Sequence, residues 1–286
     1  METIYKLAIV TALFVVLFGL ENIVPLRRRS RPLRSRLLVN FPVGALAIAT
    51  AAILVAFASS SILERLPGQR FGLLTWLGLP ATLELVAGFL LMDLSFYYWH
   101  RANHTVGFLW RFHNVHHTDP DLDVSTAYRF HFGEIALSAG FRVAQIAAIG
   151  VSPWTFAIYE LVFQANTLFQ HSNVRLPIAA ERVLNRLLVT PRMHGIHHSQ
   201  VQRESNANFS VVLPWWDWLH RTLCLNVPQS RIAIGVPAYM TASDNGIGVT
   251  LAMPFRRQRR YWLRPDGKEP ERSRTDLRGP RTVMEA

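Results

Sequence analysis

Ten of the eleven histidines in this 286-residue chain fall between positions 100 and 198. Eight of them form three clusters: His100 and His104; His113, His116 and His117; and His194, His197 and His198. Residues three and four apart share a helix face, so each cluster can aim two imidazoles at one point while an adjacent third serves a neighbouring metal. Eight convergent imidazoles exceed what one tetrahedral ion accepts and suit two metals that keep open positions. His171 and His131 are candidates for a ninth and tenth contribution, and His131 stays open between ligand, outer partner and plain structure. His220 stands alone and reads as structural. The single cysteine, Cys224, excludes an intramolecular disulfide and any multi-cysteine zinc or iron–sulfur site, so metal chemistry falls to histidine.

Metal-bound imidazoles need acceptors that orient their second nitrogen. Asp93, seven residues before His100 and on nearly the same helix face, is the first candidate; Glu134, near His131, and Asp217 are further ones, each with a structural alternative. Glu84 is out of phase with Asp93. Asp119, Asp121 and Asp123 read as a solvated turn. An all-imidazole, carboxylate-poor set suits redox chemistry on oxygen, yet imidazole also binds zinc and nickel. A zinc-dependent membrane hydrolase and a metal transporter or sensor therefore remain as alternatives. No Gly-rich dinucleotide or phosphate loop is present, so electrons for an oxygenase would come from a separate carrier.

The elements that must position these residues read as membrane helices. Half of the residues are hydrophobic, too many for a typical soluble domain, and the formal net charge is +11. Apolar runs predict spans near 4–24, 37–59 and 71–99, the last ending in Tyr97, Tyr98 and Trp99, an interfacial aromatic belt. Residues 134–170, broken at Gly150 to Pro153, predict two short helices that form a hairpin entering and leaving on one side. Arg27, Arg28, Arg29, Arg31, Arg34 and Arg36 follow the first span, which marks a cytoplasmic loop and a retained helix rather than a cleaved signal. Residues 255–286 carry ten Lys/Arg against five Asp/Glu and read as a basic, disordered cytoplasmic tail. The expected architecture is all-α: one multi-pass membrane helical bundle over 1–254, with a cytoplasmic helical cap carrying the histidine-rich dimetal site within 93–222.

The chain carries, in order, DLSFYYWHRANH from Asp93, LWRFHNVHHTD from Leu109, STAYRFHFGE from Ser125, FQHSNVRLP from Phe169, TPRMHGIHHS from Thr190, and RESNAN followed by WDWL. In this order and spacing these stretches resemble the fatty acid hydroxylase and sterol desaturase superfamily of membrane di-iron enzymes. The resemblance covers about 90–222. It departs at Asn208-Phe209-Ser210 and at His220-Arg221, outside the ligand set. It implies that the eight clustered histidines and His171 bind two iron ions, with zinc possible in purified protein. It further implies that O2 is a co-substrate and that a lipid, whether fatty acyl, sterol or related, is hydroxylated or desaturated. Electrons would come from a cytochrome b5-type or ferredoxin-type donor, and the protein would lie in a bacterial inner membrane or the endoplasmic reticulum.

Overall fold

The computed structural model describes residues 2–56 and 71–272. Among these residues there is no β-strand, only two isolated bridges, Pro25 to Val174 and Ser199 to Ile234. Helix α1 spans Glu2–Ile23 and α2 spans Leu33–Thr50, running on into one π-helical segment, Ala51–Ala56. A short α3, Leu73–Leu77, precedes α4, Ala81–Thr105, and α5, Gly107–His117. Helices α6, Phe132–Ile149, and α7, Pro153–His171, flank the turn at Gly150. Short helices follow, among them α8, Ile178–Leu184, and α9, Pro191–His197.

Four helical stretches, Tyr5–Ile23, Leu33–Leu54, Ala81–Thr105 and Phe132–Ile149, are long and apolar enough to cross a membrane. Even the shortest, of 18 residues, reaches about 27 Å at ~1.5 Å per residue, close to a hydrocarbon core. Their outer faces expose large apolar side chains such as Leu7, Val15, Ile53 and Leu83, where lipid replaces water as the favourable neighbour.

The boundaries depart from the sequence reading for identifiable reasons. The second span starts at Leu33 rather than at 37, because Arg36 is neutralised inside the protein: its guanidinium binds Asp119 at 2.7 Å and also pairs with Asp123. The acidic turn is thus buried, with Asp119 and Asp123 fully enclosed. The predicted span at 71–99 is two helices, since Gly78 adopts a left-handed conformation (φ 60°) and Pro80 then opens α4, which continues past 99 to carry His104. The end of the predicted second span and the connection after it lie outside the described residues. Residues 255–272 are not a disordered tail. Trp262 stacks on Trp110 at 5.8 Å and Arg272 pairs with Glu204 at 2.7 Å; residues 273–286 lie outside the described residues.

The chain alternates in direction so that one end of the bundle collects the polar residues. Glu21 at the end of α1 accepts from the amides of Val124 and Asn173. Arg36 near the start of α2, His100 and His104 near the end of α4, Glu134 at the start of α6 and His171 closing α7 gather at that same end. At the opposite end an apolar cluster of Leu74, Met92, Ile146, Ile149, Val151 and Tyr159 holds α3, α4, α6 and α7 together.

Candidate metal centre

His100 and His104 lie one turn apart on α4, and His113, His116 and His117 close α5. On α9, Thr190 caps the N-terminus by accepting from the Met193 amide, and Pro191 presets the first turn; this starts the helix where it must to present His194, His197 and then His198. His171 is the last residue of α7. The structure sorts these nine histidines into two groups. One contains His100, His104, His113, His117 and His197, the other His116, His171, His194 and His198, and in each group one nitrogen per residue lies within 4.8 Å of the others. The groups touch, since the His117 and His198 rings stack at 4.3 Å.

Each anchored ring is held by its Nδ1. His100 Nδ1 donates to the Phe209 carbonyl, His197 Nδ1 to the Ala207 carbonyl and His171 Nδ1 to the Thr167 carbonyl, each at 2.7 Å. His113 Nδ1 donates to Glu134 Oε1, also at 2.7 Å. A carbonyl or carboxylate acceptor requires the Nδ1–H tautomer, which leaves Nε2 with a free lone pair. The inward nitrogens lack protein partners: Nε2 of His113, His117 and His197 and both nitrogens of His104 are buried without a hydrogen bond.

In the second group the Nε2 atoms confront one another, His171 to His116 at 3.0 Å, His194 to His171 at 2.9 Å and His198 to His194 at 3.1 Å. His171 Nε2 has one lone pair and no proton, so it cannot satisfy both neighbours by hydrogen bonding. Nitrogens about 2.1 Å from a common cation and at right angles about it stand roughly 3.0 Å apart. The donor set therefore fits a metal ion in each group better than it fits a network of hydrogen bonds.

Electrostatics agrees. Burial first, and the neighbouring imidazoles second, hold His116, His117, His194 and His198 well below the ordinary imidazole range. Burial lowers His197 to about 3 against the opposing pull of the Ala207 carbonyl. These side chains are neutral at physiological pH and available as ligands.

The four accessory candidates take different places. Glu134 holds a histidine of the first group. Asp93 does not touch an imidazole: its Oδ2 accepts from the Leu213 amide at 3.0 Å and from Trp216 Nε1 at 2.8 Å. Asp217 accepts from the amides of Phe209 and Ser210 and from Thr222 Oγ1. Both carboxylates thereby fix the loop 207–217, which supplies the carbonyls on His100 and His197. His131 belongs to neither group; it caps α6 by accepting from Gly133 N and donates Nε2–H to the Leu251 carbonyl. His220 also stands apart, bonded to Tyr98.

Sequence reasoning missed Asn208. Its φ of 56° is left-handed, a conformation that Asn tolerates better than most residues. Its side chain bonds the Met193 and Cys224 carbonyls and the Cys224 amide. This bend is what lets the carbonyls on either side of it, Ala207 and Phe209, both face histidines.

A cavity of about 200 Å3 opens beside the centre and reaches His100 and His113 of one group and His116, His171 and His194 of the other. Its apolar wall comes from Phe96 and Trp99 on α4, Ile135 on α6 and Phe163 on α7, with Phe130 and Val211.

The model of the fatty acid hydroxylase family matches residues 85–222. An ornithine lipid hydroxylase of Rhizobium tropici is 30% identical over 192 residues, which is 67% of this chain and 56% of that protein. Human alkylglycerol monooxygenase is 30% identical over 139 residues, 48% of this chain and 29% of that protein. Mouse cholesterol 25-hydroxylase is 28% identical over 150 residues, 51% of this chain and 49% of that protein. The aligned region thus spans between 29% and 56% of these relatives. No solved structure matches the chain.

Proposed function

From the match of the fatty acid hydroxylase model to residues 85–222 we propose that this chain belongs to that family and is an integral-membrane, non-haem di-iron oxidoreductase. It uses O2 and externally supplied electrons to hydroxylate a lipid; the relatives are named for hydroxylation and monooxygenation, which favours that outcome over desaturation. The observation that carries the reading is the apolar cavity that opens onto imidazoles of both histidine groups.

In this reading His100, His104, His113, His117 and His197 hold one ion, and His116, His171, His194 and His198 hold the other. Iron bound there supplies the reduction of O2 and the oxidation of an unactivated C–H bond, chemistry that no side chain performs alone. The protein supplies position and dryness. The carbonyls of Phe209, Ala207 and Thr167 and the Glu134 carboxylate keep each lone pair aimed inward. The aromatic wall binds an alkyl chain by burial and excludes water from the reacting carbon. The chain would enter from the bilayer between α4 and the pair α6 and α7, whose side chains line the cavity.

The arginines after α1 support a histidine end at the cytoplasmic face of an inner membrane or the endoplasmic reticulum. There a cytochrome b5-type or ferredoxin-type protein delivers electrons.

The test is metal analysis of detergent-purified protein after anaerobic Fe(II) loading, followed by oxygen uptake in a lipid extract with a reductant system under 18O2. Two irons per chain and a lipid that gains one labelled oxygen are expected. Tightly held zinc with lipid cleavage in air-free buffer, and no oxygen uptake after iron loading, would sink this reading and promote a hydrolase.

A further inference from the structure

Just past the end of α1 the arginine-rich segment lines a second cavity, of about 160 Å3, that shares no lining residue with the apolar one. Arg27, Arg28, Arg29 and Ser30 form one side, and Asp121 and Gln200 contribute to the other. Arg27 is only 9% exposed. Its Nη1 donates to the Pro191 carbonyl at 3.3 Å and to Gln229 Oε1 at 2.5 Å, while Nε and Nη2 are buried with no hydrogen-bond partner. A buried guanidinium that leaves these donors unused is expensive, and a carboxylate normally meets them.

Here none does. Among the described residues no carboxylate forms an ion pair with Arg27. Asp121, the acidic residue of the lining, is already engaged by the amides of Ser30 and Arg31 at 2.7 and 3.0 Å. Arg29 approaches Glu21 and Asp123 only at 3.8 and 3.9 Å. Arg28 is exposed beside them. Burial first, and then the like-charged Arg192, pull Arg27 down to about 10, outweighing the more distant attraction of Glu181, Glu21 and Asp121.

We propose that this cavity is a phosphate seat, in which Arg27, Arg28 and Arg29 clasp the phosphate of an anionic lipid headgroup or inorganic phosphate. Planar guanidinium forks match phosphate oxygens, and the position, four residues beyond Ile23 at the end of a membrane-length helix, is where a headgroup phosphate lies. The seat is coupled to the histidine centre by contact. Arg27 packs against Gly195, between His194 and His197, where a Cβ would collide with its Nη1, and it bonds the carbonyl of Pro191, the first residue of α9. An anion on Arg27 therefore braces the helix that presents three histidines.

The proposal stands apart from the identity of the metal and is tested without turnover. Protein in neutral maltoside micelles is titrated with inorganic phosphate against chloride at matched ionic strength. In parallel it is placed in nanodiscs of phosphatidylcholine with and without phosphatidylglycerol. The melting midpoint is read for the wild type, Arg28→Glu and Arg27→Gln. Saturable stabilisation by phosphate, weakened about tenfold or more in both variants, identifies a seat that takes the free anion. Stabilisation by phosphatidylglycerol but not by phosphate, with the same loss in the variants, identifies a lipid headgroup. If neither probe stabilises the wild type, or if Arg28→Glu responds as the wild type does, the proposal is overturned; Arg28 is exposed, so that variant decides the matter even where Arg27→Gln fails to fold.

Discussion

At the scale of single residues, the centre depends on who holds each imidazole. The Glu134 carboxylate gives His113 a charge-assisted bond, and removing such a partner commonly costs about 10–100-fold in metal affinity. Glu134→Ala is expected to lose affinity in that range in a chelator competition, with Glu134→Gln, which keeps an acceptor oxygen, lying between. The buried histidines also set a pH dependence. In the metal-free protein His197 titrates at about 3 rather than 6.5, so between these values the unfolded chain takes up a proton that the folded chain refuses. Stability is then complete above pH 6.5 and declines as the pH falls toward 3. A melting midpoint of metal-free protein that stays level between pH 7 and pH 5 would contradict this. The grouping of the eight clustered histidines was legible because helical spacing is written in the sequence, whereas His171, which stands alone, was only a candidate. The anchors of these rings were mostly not legible. The carbonyls of Ala207, Phe209 and Thr167 are backbone groups without a side-chain signature, and only the bend at Asn208 would have pointed to two of them. Asp93 shares nearly a face with His100, but facing the same way does not decide which neighbour arrives first, and Trp216 and Leu213 arrive before any imidazole.

At the scale of elements, two junctions set the bundle. Gly72 (φ 91°) packs directly on Gly150 (φ 72°), so the start of α3 sits against the turn between α6 and α7, and a Cβ at Gly72 would collide with Gly150. Gly72→Ala should cost about 1–3 kcal/mol, seen as a lower melting midpoint in detergent. The other junction is the ion pair of Arg36 with Asp119 and Asp123. Burial would raise the Asp119 carboxyl, but Arg36 overrides it and holds the group at about 2. Arg36→Met strands two buried carboxylates, and a loss of about 3–5 kcal/mol is expected in the same melting assay. Sequence reading trimmed charged residues from the second span because it priced each one alone. Partners 83 and 87 residues away change that price, and nothing local announces them. The break at Gly78 and Pro80, by contrast, was written in the chain and yielded to the apolar run around it.

At the scale of the whole molecule, apolar helices gather their polar ends on one side and a cap of short helices folds over the histidines there. The all-helical class and the first three membrane-length stretches were legible from composition and run length, whereas Phe132–Ile149 was read as half of a short hairpin; the resemblance over about 90–222 nearly coincides with the matched family region, 85–222. The order of residues 255–272 was not. Their charges resemble a solvated tail, yet two aromatics, Tyr261 and Trp262, join the cluster around Trp110 and Tyr239. Trp110 in turn lies 4.8 Å from the His104 ring and 5.3 Å from that of His117. The molecule thus carries its own light gauge. An indole this near a paramagnetic ion loses excited-state energy to it, whereas zinc, with its filled d shell, offers no such sink. Loading with Fe(II) or Cu(II) should therefore dim a fraction of the tryptophan emission that zinc leaves bright. In Trp110→Phe that fraction should shrink, leaving the share of Trp99 in the cavity wall.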